Sequence, residues 1–231
     1  MPVAVITGGS RGFGRALALD LAEDGWSLVI DGRDPEALQE VEDRLGDRRA
    51  TSQFIAGDVS SPPHRHALID AAQRFGSLDL LVNNASTLGP SPLPRLEQYP
   101  LADLRHIYEV NVVAPLALIQ EALPQLRRSR GTVLSLSSDA AVEGYEGWGG
   151  YGSSKAALDQ LHRTLATEEP GLRVYQFDPG DMRTTMHQDA FPGEDISDRP
   201  EPESVVPSLR ALLESDAPNG RYRADAWVPQ A

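Results

Sequence analysis

The chain has 231 residues, a formal net charge of −13, 40% hydrophobic content and no cysteine. That length predicts one sizeable α/β core across residues 1–231, acting as a single domain. Without cysteine there are no disulfides and no thiolate zinc sites, and the acidity argues against nucleic acid or an anionic membrane as partner. No run reaches the length of a membrane span, and Met1-Pro2 leads straight into a strand-like segment with no export signal, so the expected location is cytoplasmic.

Residues 3–7 form an apolar run of strand length, followed at once by a turn carrying Gly8, Gly12 and Gly14 and then by a helical pattern over 15–23. Glycines there let the backbone turn tightly and approach a ligand, while the helix start offers free N–H groups to a pyrophosphate. The strand–turn–helix order makes this a nucleotide-binding turn. A second buried strand covers 27–31, with Gly32 and Arg33 after it and a helix from Pro35. A weaker third strand, 51–58, ends at Asp58 and Val59, where Asp58 also suits a helix N-cap. His64 and His66 are two apart on the next helix, a spacing that turns them to different sides, and both are expected in solvent.

The fourth strand, 78–83, closes on Asn83, Asn84, Ala85 and Ser86, and the proline-rich stretch 88–94 reads as a loop. A long helix over 100–127 contains Asn111 and Pro115; proline has no N–H to give the Asn111 carbonyl, so a bend is expected there. Strand 131–138 ends in Ser135, Ser137 and Ser138, and a glycine-rich connection, 144–150, leads to Tyr151 and Lys155. Lys155 is the single lysine among 21 basic residues. Four residues apart on a helix, Tyr151 and Lys155 share a face, and a cation beside the phenol would draw its pKa toward neutrality. A sixth strand, 172–178, ends at Pro179 and Gly180, with Thr184 beyond. Residues 181–203 are acidic, proline-bearing and non-periodic, which reads as a substrate lid. A last helix covers 204–215 and an edge strand 220–227. This alternation predicts a Rossmann-like, doubly wound parallel sheet of about seven strands with helices on both faces.

Together, Thr7-Gly8 with Gly12 and Gly14, the Asn83-Asn84-Ala85 strand end, Ser138 thirteen residues before Tyr151, and Tyr151 four before Lys155 resemble the short-chain dehydrogenase/reductase family. Ser86 departs from that family's usual glycine. The resemblance implies hydride transfer between a nicotinamide cofactor and a small carbonyl or alcohol substrate, with Asn111, Ser138, Tyr151 and Lys155 as the catalytic tetrad. Ser135 and Ser137 stand as neighbouring alternatives to Ser138. It further implies cofactor contacts from Thr7, Gly8, Ser10, Arg11, Gly12, Phe13, Gly14, Arg33, Asp58, Val59, Asn84, Ala85, Tyr151, Lys155, Pro179, Gly180 and Thr184, and assembly into a homodimer or homotetramer. Aligned on the family pattern, Gly32 takes the position where NAD-preferring members carry an acid, and Arg33 and Arg11 fall on basic positions of NADP-preferring ones. NADP(H) is therefore expected, with NAD(H) as the alternative should Asp31 reach the ribose or Arg33 pair with Asp31 or Asp34. A binding protein that senses nucleotide without turnover is the competing class. Leu88, Val142, Tyr145, Trp148, Met182 and Met186 are candidates for the substrate wall.

Overall fold

The computed structural model describes residues 1–227, the side chains of 49 and 50 excepted. Seven parallel strands form one sheet: β1 (Val3–Ile6), β2 (Ser27–Gly32), β3 (Ser52–Ala56), β4 (Leu80–Asn83), β5 (Thr132–Leu136), β6 (Arg173–Asp178) and β7 (Gly220–Arg223), in the order β3-β2-β1-β4-β5-β6-β7. Strand alternation sends Ala4, Ile6, Leu28 and Ile30 to one face and Val3, Val5 and Val29 to the other. Both faces are covered, which is why the central strands read as continuous apolar runs. Helices α1 (Gly12–Glu23), α2 (Pro35–Leu45) and α8 (Pro202–Glu214) pack on the first face; α3 (Pro62–Phe75), α5 (Ala114–Ser129) and α6 (Gly149–Glu168) pack on the second. After β3 the chain crosses to the far side of β1 to lay down β4, so a crevice opens between the carboxyl ends of these two strands.

The expected long helix is interrupted. It runs as α4 (Leu101–Tyr108), a π turn (Glu109–Val113) and α5, with the Ala114 N–H reaching back five residues to the Glu109 carbonyl. Pro115 supplies the reason, since it cannot make the ordinary bond to Asn111; the chain answers by widening one turn. The stretch expected to be non-periodic contains a short helix, α7 (Thr185–Ala190), capped by the Thr184 hydroxyl, which accepts from the His187 N–H at 3.2 Å. Its remainder is tied by Arg199 to Asp181 at 3.6 Å and by an Arg183–Glu201 pair.

Candidate active site

Gly8 and Gly12 adopt φ of 64° and 52°, the left-handed region, and an added Cβ at Gly8 would lie 2.9 Å from the Ala85 backbone. The turn is thus pressed onto the end of β4 and needs glycine on both counts. Asn84 fastens it, donating through its amide to the Thr7 and Gly8 carbonyls at 2.8 and 2.9 Å. The Thr7 hydroxyl accepts from the Asn84 and Ala85 N–H groups, both at 3.1 Å. Thr7 and Gly14 therefore act behind the turn; neither reaches the cavity wall. The Phe13 ring turns inward and stacks on Phe177 with centroids 6.2 Å apart.

A cavity of about 490 Å³ runs along the crevice. At one end lie Ser10, Arg11, Gly12, Arg33, Asp58 and Val59; Asn84, Ala85, Pro179, Gly180 and Thr184 line its middle; Ser138, Tyr151 and Lys155 follow. Leu88, Trp148, Met182 and Met186 line the far end. Val142 and Tyr145 do not. Both are exposed, and the Tyr145 hydroxyl donates to Asp139 at 3.0 Å. The Asp58 carboxylate accepts from the Ser60 N–H and hydroxyl at 2.8 and 2.7 Å, and these bonds, with Arg33 nearby, outweigh its burial and hold it below the ordinary carboxylate range.

At the adenosine end the charges pair differently from the sequence alternative. Asp34 binds Arg11, and among the described residues Arg33 has no ion-pair partner and stands exposed. Asp31 lines the cavity, but its carboxylate is engaged within the protein, accepting the Gly8 N–H at 2.5 Å and meeting His64 Nε2 at 2.9 Å. This corrects the expectation for His64. The ring is buried against Asp31, while His66 is exposed as expected.

The three serines at and just beyond the end of β5 have different partners. Ser135 faces His162 at 2.7 Å, Ser137 donates to Asp159 at 2.8 Å, and Ser138 lies in the cavity with its hydroxyl donating to Asp139 at 3.0 Å. Lys155 is buried, donates to the Leu136 carbonyl at 2.8 Å and sits 5.5 Å from the Tyr151 ring centre. Burial lowers the Lys155 amine to about 8, against the opposing pull of Asp159 one turn along α6. The Tyr151 phenol corrects the sequence expectation: burial first, then the Asp178 carboxylate, push it above its ordinary value, while the Ser86 and Ser138 hydroxyls work the other way. Desolvation is the largest of these effects. Asn111 is buried behind the wall, where its side chain accepts the Thr87 N–H at 2.8 Å and donates to the Thr87 carbonyl and the Ser154 hydroxyl at 2.9 and 3.0 Å.

Ser86, Asp159 and Arg221 went unread as site residues. Arg221 on β7 donates to the Ser138 carbonyl at 2.9 Å and to Asp178 at 2.7 Å, and its Nε lies 3.4 Å from Asp159. The C-terminal strand carried no motif, so no sequence signal marked this arginine.

Comparison with known proteins agrees with this geometry. The family model described as short chain dehydrogenase matches residues 2–195. Mouse (Mus musculus) sepiapterin reductase is 33% identical over 222 residues, covering 90% of this chain and 84% of its own. L-fucose dehydrogenase of the same species is 33% identical over 190 residues, covering 81% and 67%. Among solved structures, an alcohol dehydrogenase from the archaeon Thermococcus sibiricus complexed with 5-hydroxy-NADP superposes with a TM-score of 0.87 at 30% identity, over 100% of this chain and 98% of that one. A short-chain dehydrogenase from Escherichia coli CFT073 complexed with NADPH gives 0.89 at 28% identity, over 96% of each chain. The chain belongs to the short-chain dehydrogenase/reductase family of oxidoreductases.

Proposed function

We propose that the protein is an NADP(H)-dependent oxidoreductase acting on a carbonyl compound or the corresponding secondary alcohol. The observation that carries this reading is one continuous cavity that joins the glycine turn and Arg33, which has no ion-pair partner among the described residues, to Ser138, Tyr151 and Lys155. The residues fit the cofactor: Gly8 and Gly12 allow close backbone approach, the start of α1 offers N–H groups to phosphates, and Arg33 offers a guanidinium to a 2′-phosphate. When bound, the nicotinamide supplies or accepts the hydride.

The chain's own residues handle the proton. In reduction the Tyr151 hydroxyl donates to the substrate oxygen, which Ser138 holds by a second hydrogen bond. A phenol kept above its ordinary value is protonated at neutral pH, the form a donor needs. Lys155, with its amine brought to about 8, can hand on a proton close to neutrality and so restore Tyr151. Asn111, which donates to Ser154 next to Lys155 in sequence, is read as the relay behind that lysine. The far end of the cavity, with Leu88, Trp148, Met182 and Met186 beside Asp139, Asp181 and Asp189, suits a neutral, moderately apolar substrate. Consumption of NADPH and NADH with a panel of aldehydes, ketones and quinones is the test: NADPH should be consumed in preference, and no turnover across the panel despite tight nucleotide binding would leave a sensor instead.

A further inference from the structure

A carboxylate directly beneath an anion-binding turn is an electrostatic liability. Asp31 is only 1% exposed, and burial works to raise its pKa while His64 and the Gly8 N–H oppose that rise. Left alone, such a charge would repel cofactor phosphates and carry a large desolvation cost. Instead both oxygens are engaged, one by the Gly8 N–H at 2.5 Å and the other by His64 Nε2 at 2.9 Å. The histidine ring is wedged against the next cavity wall: a Cβ added to Gly57 would lie 2.2 Å from His64 Nδ1. Its neighbour Arg65 donates to the Val59 carbonyl at 2.7 Å. Asp58 lies close enough to oppose charge on Asp31, and Arg33 and His106 in turn favour the charge on Asp58. One pair thus links the glycine turn, the end of β2, the first turn of α3 and the backbone at residues 57–59.

We propose that Asp31 and His64 are a positioning pair for the dinucleotide: Asp31 fixes the Gly8 amide, and His64 engages its second oxygen so that an anionic ligand is tolerated above it. The proposal rests on the reading of this cavity as an NADP(H) site. The Gly8 N–H that Asp31 holds is not itself offered to phosphate; its tether sets the direction of the amides that follow.

The test is direct titration of NADPH binding, beside thermal unfolding without ligand, for the parent and for His64→Leu, Asp31→Ala and Asp31→Asn. His64→Leu strands the carboxylate and Asp31→Ala frees the turn, so each should weaken NADPH binding about tenfold or more. Asp31→Asn keeps an acceptor for Gly8 without the charge and should bind within about threefold of the parent. Unchanged affinity in all three, whatever happens to unfolding temperature, overturns the proposal and leaves the pair a packing feature. If His64→Leu does not fold, the Asp31→Ala and Asp31→Asn contrast decides: equal affinities overturn it. A parent that binds neither NADPH nor NADH would instead sink the underlying reading of the cavity.

Discussion

The two halves of the sheet bury charge in different ways. Under the glycine turn, Asp31 and His64 make a closed pair with both carboxylate oxygens engaged. Under β5, β6 and β7, Lys155, Asp159, Asp178 and Arg221 share a looser layer, in which Asn83, Ser135, Gln176 and Arg221 are lateral neighbours across four strands. Here the Asp159 Oδ1, the Gln176 Oε1 and both Asn83 amide atoms have no protein partner among the described residues. The contrast fits the proposed tasks. A binding turn must hold one shape, so its acid is fully satisfied; a proton-transfer site needs groups whose charge can change, and incomplete solvation is what brings Lys155 to about 8.

Removing Arg221 should break the looser layer most severely. Arg221→Met leaves Asp159 and Asp178 buried without their guanidinium, and urea unfolding should show a loss of about 3–5 kcal/mol. A loss below about 1 kcal/mol would mean the layer is already hydrated and self-sufficient. Lys155→Arg comes next, with the charge kept but the point-like ammonium lost: turnover should fall about a hundredfold with the fold intact. Near-parental turnover would remove the reason for the single lysine.

The same lysine makes a pH prediction. Its folded pKa is lowered from 10.5 to about 8, so between those values the unfolded chain carries a proton that the folded chain lacks. Ligand-free stability should therefore rise with pH across that window, by on the order of 3 kcal/mol, and the gain is lost as pH falls back through 8. Tyr151, whose pKa is raised, opposes this above pH 10. Lys155→Met should flatten the rise; a parent with no rise between pH 8 and 10 would contradict the burial argument. The smallest effect belongs to the binding half. Arg33→Ala should weaken NADPH by about tenfold and NADH little, and equal weakening of both would show that Arg33 does not meet the 2′-phosphate.

Much of the frame was legible because its signals are local. Apolar runs set six strands, the glycines at 8, 12 and 14 announced the turn, and the thirteen-residue spacing singled out Ser138, which lines the cavity beside Ser137 while Ser135 does not. What escaped is long-range. Nothing near His64 in sequence reveals Asp31, 33 residues away, and Arg221 meets Ser138 across 83 residues. The raised Tyr151 pKa escapes the sequence for a related reason: the helical spacing shows the cation, but not the burial or the Asp178 carboxylate that raise it. At Pro115 the missing N–H was legible, but not the form of its outcome, a π turn over Glu109–Val113.

Tyr151→Phe provides the most direct measurement. It removes the hydroxyl alone and keeps the ring that packs against Trp148 at 5.7 Å. NADPH affinity by titration and single-turnover reduction of a carbonyl substrate should be measured together on parent and variant. The account predicts unchanged NADPH binding with a rate lowered by about 10²–10⁴-fold at every pH. A variant that binds NADPH and reduces the substrate at the parental rate would contradict it.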